Sequence, residues 1–108
     1  MLKLIRSAAV ALMLMPAAAT AQDFDAGLDA YVAQDYATAL REWKPLAEQG
    51  HAGAQTGLGF MYEEGGQGVP QDHAEAARWY RMAGEQGNAM AQLNLGTMYG
   101  SGRGVAQV

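Results

Sequence analysis

The feature that most limits what this chain can fold into is an internal repeat. Sliding the sequence by 37 residues lays Asp35–Tyr62 on Asp72–Tyr99 without a gap, and 14 of the 28 positions are identical. The matches include Ala39/Ala76, Gln55/Gln92, Leu58/Leu95, Gly59/Gly96 and Tyr62/Tyr99. Beyond them the shift drops to 36, which pairs Gly66, Gly68 and Val69 with Gly102, Gly104 and Val105. A period of this length with two helical stretches in it indicates an all-α solenoid of antiparallel helix pairs.

Spacing and punctuation predict five helices. Asp72 and Glu75 form a capping pair ahead of Ala76, Trp79, Tyr80 and Ala83, which share one helical face up to a stop at Gly87. Asn88 caps a second helix over Ala89–Tyr99, and the first copy predicts helices near Tyr36–Gln49 and Ala52–Glu64. Leu28, Tyr31 and Val32 mark an earlier one near Asp25–Ala33. No β-branched run alternates as a strand would. Gly59 and Gly96 sit inside helices, where glycine costs about 1 kcal/mol against alanine unless a neighbour approaches closely. Tight packing of small residues, with Trp43 and Tyr80 filling the seams, is therefore expected. Pro45, inside its helix, predicts a kink or a tightened end.

Residues 1–21 read as a secretory signal peptide rather than as part of the fold. Lys3 and Arg6 precede the apolar run Ala8–Met15, Pro16 breaks it, and Ala19-Thr20-Ala21 offers a small-x-small cleavage site. The run is shorter than the roughly 20 apolar residues that span a bilayer. Cleavage after Ala21 leaves 5 basic against 11 acidic residues, a net charge of −6. Such a surface argues against nucleic acid and, after cleavage, against membrane as partners. The absence of cysteine excludes a disulfide framework, a thiolate metal site and a cysteine nucleophile. The organisation expected is a signal peptide over 1–21, a leading helix over 22–34, one repeat over 35–71 and a second over 72–108, after which the array reads as truncated.

The strings AEQGHAGAQTGLGFMYEEGGQGVPQD (Ala47–Asp72) and AARWYRMAGEQGNAMAQLNLGTMYGSGRGV (Ala76–Val105) resemble the Sel1-like repeat, a relative of the tetratricopeptide repeat. The EQG, AQ, LG, MY and G-x-GV elements occur in order, twice, and the resemblance covers nearly everything after Asp35. It implies a right-handed superhelix that serves as a protein-interaction scaffold, often exported by bacteria. Asp25–Gly50 resembles the looser, tetratricopeptide-like lead-in to such arrays.

Little in the chain supports catalysis. Gly100–Gly104 could cradle an anion with Arg103, but the counterpart Glu64–Gly68 has neither the arginine nor the serine, and a Walker loop needs Gly-Lys-Ser/Thr. A turn needing φ > 0 explains both segments. After the signal, Ser101 is the only serine and Lys44 the only lysine, and His51 and His73 stand 22 residues apart at helix starts. That gives no metal spacing and no ready triad. Glu63 and Glu64 read as a solvated helix end. Neither a cofactor nor an enzymatic activity is expected.

Tyr62, Tyr99, Gln55 and Gln92 recur in both copies and read as architecture. Recognition in solenoids falls on positions that differ between copies, here Gly53/Met90, Thr56/Leu93, Gly57/Asn94 and Phe60/Thr97. Phe60, Met90, Leu93 and Asn94 are thus the expected partner-binding residues. The expected function is an exported, non-enzymatic adaptor in the periplasm or outside the cell, with a protein or peptide as partner. The alternatives are a cell-wall (peptidoglycan or β-lactam) binding protein, from which the lack of cysteine departs, and a fragment of a longer array. The last helix, with Leu93, Leu95, Met98 and Tyr99 uncovered, also predicts self-association.

Overall fold

The computed structural model describes residues 23–105, so the expected signal peptide and residues 106–108 lie outside it. Five helices follow one another: α1 (Phe24–Val32), α2 (Tyr36–Glu48), α3 (Ala52–Glu64), α4 (His73–Glu85) and α5 (Ala89–Ser101). Each matches an element read from the sequence to within two residues. No strand occurs among the described residues; Gly66 and Val69 form an isolated bridge. Each helix packs on its neighbours in sequence, as a solenoid requires.

Helix starts are capped by the residues that the sequence places there. Asp35, His51, Asp72 and Asn88 each accept a hydrogen bond from the backbone N–H three residues on. His51 does so through Nδ1, 3.0 Å from the Ala54 nitrogen. The capping pair of Asp72 and Glu75 forms by half. Asp72 caps, but Glu75 does not reach back, because its carboxylate accepts from Arg78 and from Trp79. The backbone N–H of Asp72 donates instead to the Tyr62 carbonyl, tying α4 to α3.

The helix ends repeat as well. Gly50 at φ 98° and Gly87 at φ 96° reverse the chain, and the N–H groups of His51 and Asn88 donate back to the Leu46 and Ala83 carbonyls at 3.0 and 3.1 Å. Pro45 does not break α2. The last turn tightens instead, with the Gln49 N–H shared between the Pro45 and Leu46 carbonyls, both at 3.1 Å.

Helix α3 lies between α2 and α4, and it is composed for that place. Ala54, Gln55, Thr56, Gly57, Leu58, Gly59 and Met61 are all buried, so the helix has almost no polar face. Bulk comes from the flanking helices: the Trp43 ring covers Gly57 on one side and the Tyr80 ring covers Gly59 on the other. A Cβ at either glycine would overlap the ring, so the two glycines are the hollows into which the aromatics fit.

Candidate partner-binding surface

Trp43 organises the first part of the site. It is 2% exposed, and its indole Nε1 donates to the Phe24 carbonyl at 3.0 Å. Phe24 stacks on Trp43 with ring centroids 5.5 Å apart and on His51 at 5.0 Å. Gly27 gives α1 the room to approach, since a Cβ there would strike the indole. Tyr31 stacks on Tyr36 at 5.3 Å. Its hydroxyl donates to Glu64 Oε1 at 3.1 Å, and burial together with that carboxylate pushes its pKa up to about 12.

Over this base lies a groove of about 270 Å³ between α1, α3 and the start of α5. Phe24, Leu28 and Tyr31 form one wall, Thr56 and Phe60 the floor, and Met90 the far end. The Thr56 hydroxyl donates to the Ala52 carbonyl at 3.0 Å, so its polar group is satisfied within the helix. None of the residues lining the groove is charged. Leu28 and Met90 are 42% and 53% exposed, which makes the groove an accessible apolar surface rather than a sealed cavity.

Of the four partner-facing residues expected from the sequence, Phe60 and Met90 come together in this groove. Leu93 is 66% exposed on α5, where it occupies the register of Thr56 one repeat earlier. Asn94 has a different place: it is half-buried and its side chain reaches the Tyr80 hydroxyl. The α1 wall had no repeat counterpart to announce it. Its one sequence signal was the helical spacing of Leu28, Tyr31 and Val32.

The recurring polar residues are structural. Gln55 Nε2 donates to the Ala47 carbonyl at 3.0 Å and Gln92 Nε2 to the Gly84 carbonyl at 2.9 Å, the same bond one repeat later. Glu63 departs from the expected solvated helix end. Its Oε1 accepts from the Tyr80 hydroxyl at 2.6 Å and its Oε2 from Arg103 at 3.5 Å. Burial, with Glu63 adding to it, raises the Tyr80 hydroxyl far above the ordinary tyrosine range. Arg103 is thus drawn to α3, while Gly102 and Gly104 take φ of 74° and 71° in the turn that closes α5. The Ser101 hydroxyl donates to the Met98 carbonyl at 3.3 Å.

Among the described residues no group of three or more His, Cys, Asp or Glu could hold a metal ion, and no helix is long and apolar enough to cross a membrane. What the fold presents is an uncharged groove on a stack of antiparallel helices built from one repeated unit. That is the architecture of a helical-repeat protein.

The Sel1 repeat model matches residues 52–88 and 89–108, more than half of the sequence, and the chain belongs to the Sel1 repeat family. Proteins of this family are typically protein-interaction scaffolds. The chain is similar to the crystal structure of a Sel1 repeat protein from Oxalobacter formigenes, with 34% identity over 82% of this chain and a TM-score of 0.72. It is also similar to c5321, a protective antigen present in uropathogenic Escherichia coli strains and displaying an SLR fold, with 44% identity over 66% of this chain and a TM-score of 0.62. The chain spans 35% and 15% of the lengths of those two proteins. No curated protein matches it at a significant level. The first match of the family model begins at α3, and α3 packs most extensively on α4.

Proposed function

We propose that this chain is an exported, non-enzymatic adaptor that holds a protein or peptide partner in the groove between α1, α3 and α5. The single observation that carries this reading is the uncharged apolar groove with Phe60 and Met90 in it, open to solvent and based on the buried Trp43. A rigid apolar recess without charge selects an apolar side chain on the partner and leaves its backbone polar groups at the rim. Export is supported by the arrangement of Lys3, Arg6, the run Ala8–Met15 and the Ala19–Ala21 site. In a bacterial cell the periplasm is the compartment this reading favours.

The test is crosslinking capture from the native cell envelope with the chain from Gln22 as bait, against the same bait carrying Phe60→Glu and Met90→Glu. The expected result is one set of partners, lost in the double variant while its helical circular dichroism is retained. Saturable binding to purified cell wall with no protein recovered would contradict the adaptor reading.

A further inference from the structure

The charged residues on the three helices that form the groove are all of one sign. Helices α1, α3 and α5 carry Asp25, Asp29, Glu63 and Glu64 and no basic residue, whereas Arg41, Lys44, Arg78 and Arg81 all stand on α2 and α4. Those four serve other surfaces. Arg41 and Lys44 line a separate hollow with Leu40 and Pro45, Arg78 pairs with Glu75 over the Trp79 ring, and Arg81 donates to the Tyr99 hydroxyl. Arg103 pairs with Glu63. Asp25, Asp29 and Glu64 have no ion-pair partner among the described residues.

These three carboxylates border the apolar recess. Helices α1 and α3 lie side by side in the same direction: a Cβ at Gly53 would lie 3.3 Å from the Phe24 ring, and at the other end the Tyr31 hydroxyl reaches Glu64. On α3, Gly53, Gly57, Phe60 and Glu64 share one face at spacings of three and four. The first three line the recess, and Glu64 stands about 6 Å beyond Phe60 along the helix axis. On α1, Asp25 and Asp29 are exposed, and each directly follows a residue of the groove wall, Phe24 and Leu28. That places them on the solvent edge of the α1 wall.

We propose that the groove takes a cationic segment of the partner: one apolar side chain seated over Phe60, with lysine or arginine on either side of it facing Glu64 and the α1 edge. The proposal rests on the reading of this groove as the partner's place and adds which partner it selects. Unneutralised carboxylates around an apolar recess draw in a basic segment and repel an acidic one that carries the same apolar residue. Because the carboxylates are exposed, this discrimination fades as salt rises.

The probes are three synthetic peptides with Leu-Phe-Leu at the centre and two lysines, two serines or two glutamates on each side. Each is titrated into the isotopically labelled full chain at low salt. The expected result is saturable shifts of the Leu28, Phe60 and Met90 amides, with the lysine peptide at least about tenfold tighter than the glutamate peptide and the serine peptide between them. Asp29→Asn with Glu64→Gln weakens the lysine peptide at least about threefold, and Glu48→Gln with Glu85→Gln, the same change of charge on α2 and α4, weakens it by less than about twofold. Glutamine at position 64 can still accept from the Tyr31 hydroxyl, so the local variant keeps that bond. Equal affinity for the lysine and glutamate peptides, or equal effects of the two charge variants, would overturn the proposal and leave the groove as the binding place. If no peptide moves those amides up to about millimolar, or the shifts fall elsewhere, the reading of the groove fails and the proposal with it.

Discussion

The ring of Tyr80 lies on Gly59, and at Gly96, the same position one repeat later, no side chain among the described residues takes that place. Each glycine follows a leucine and precedes a methionine and a tyrosine two and three residues on, and their environments are opposite. Gly59→Ala forces a methyl into the Tyr80 ring and is expected to cost about 1–3 kcal/mol. Gly96→Ala meets nothing and is expected to stabilise by about 0.5–1 kcal/mol through helix propensity. Urea unfolding followed by circular dichroism measures both, and equal effects at the two sites would mean that α4 does not seat on α3 as described.

The glutamine pair makes a parallel contrast. Gln55 donates to Ala47, accepts from Gln86 and is buried, whereas Gln92 makes only the bond to Gly84 among those described and is exposed. Removing Gln55 leaves buried polar groups without partners, so Gln55→Ala should cost about 1–3 kcal/mol. Gln92→Ala should stay within about 0.5 kcal/mol. The same unfolding measurement checks the difference.

The caps of α3 and α5 differ in residue and agree in geometry. Asn88→Ala should cost about 1 kcal/mol by leaving the Ala91 N–H unpaired, and His51→Ala a similar amount at Ala54. Because Asn88 does the same work one repeat on, His51→Asn is expected to preserve the cap. A midpoint near wild type for His51→Asn, with a lowered one for His51→Ala, separates capping from loss of the stacking on Phe24.

Alkaline pH should weaken the fold through two tyrosines. The folded-state pKa of Tyr31 is raised to about 12 and that of Tyr80 is raised further, against an unfolded value near 10. A raised folded pKa gives stability that is fully present below the unfolded value, so it is lost as pH climbs from about 10 upward. Tyrosinate absorbance near 295 nm should rise later in the folded chain than in urea, and Tyr31→Phe should remove part of the delay. Coincident titrations in the two solvents would contradict the bonds to Glu64 and Glu63.

The helices, their caps and the glycine turns were legible because each depends on residues within one turn or one loop. The pairing of Gly59 with an aromatic was legible only as a class of contact, since spacing shows that a small residue is needed but not which ring fills it. Glu63 was misread as solvated because its partners, Tyr80 and Arg103, lie 17 and 40 residues away. Glu75 was read as half of a capping pair, and Arg78 and Trp79, three and four residues on along its own helix, took its carboxylate instead. At the groove, the difference between copies singled out Phe60 and Met90. It also singled out Asn94, which differs from Gly57 for an internal reason: Gly57 makes room for Trp43, and Asn94 reaches the hydroxyl of Tyr80.

The most direct test of the adaptor reading places a photoreactive amino acid at single positions of the chain in its native envelope. Leu28 and Met90 lie on opposite sides of the groove, on α1 and α5, and Met82 is an apolar residue, 36% exposed, that does not line it. The account predicts that probes at Leu28 and Met90 capture the same protein and that a probe at Met82 does not. Equal capture from Met82, or different proteins from Leu28 and Met90, would contradict it.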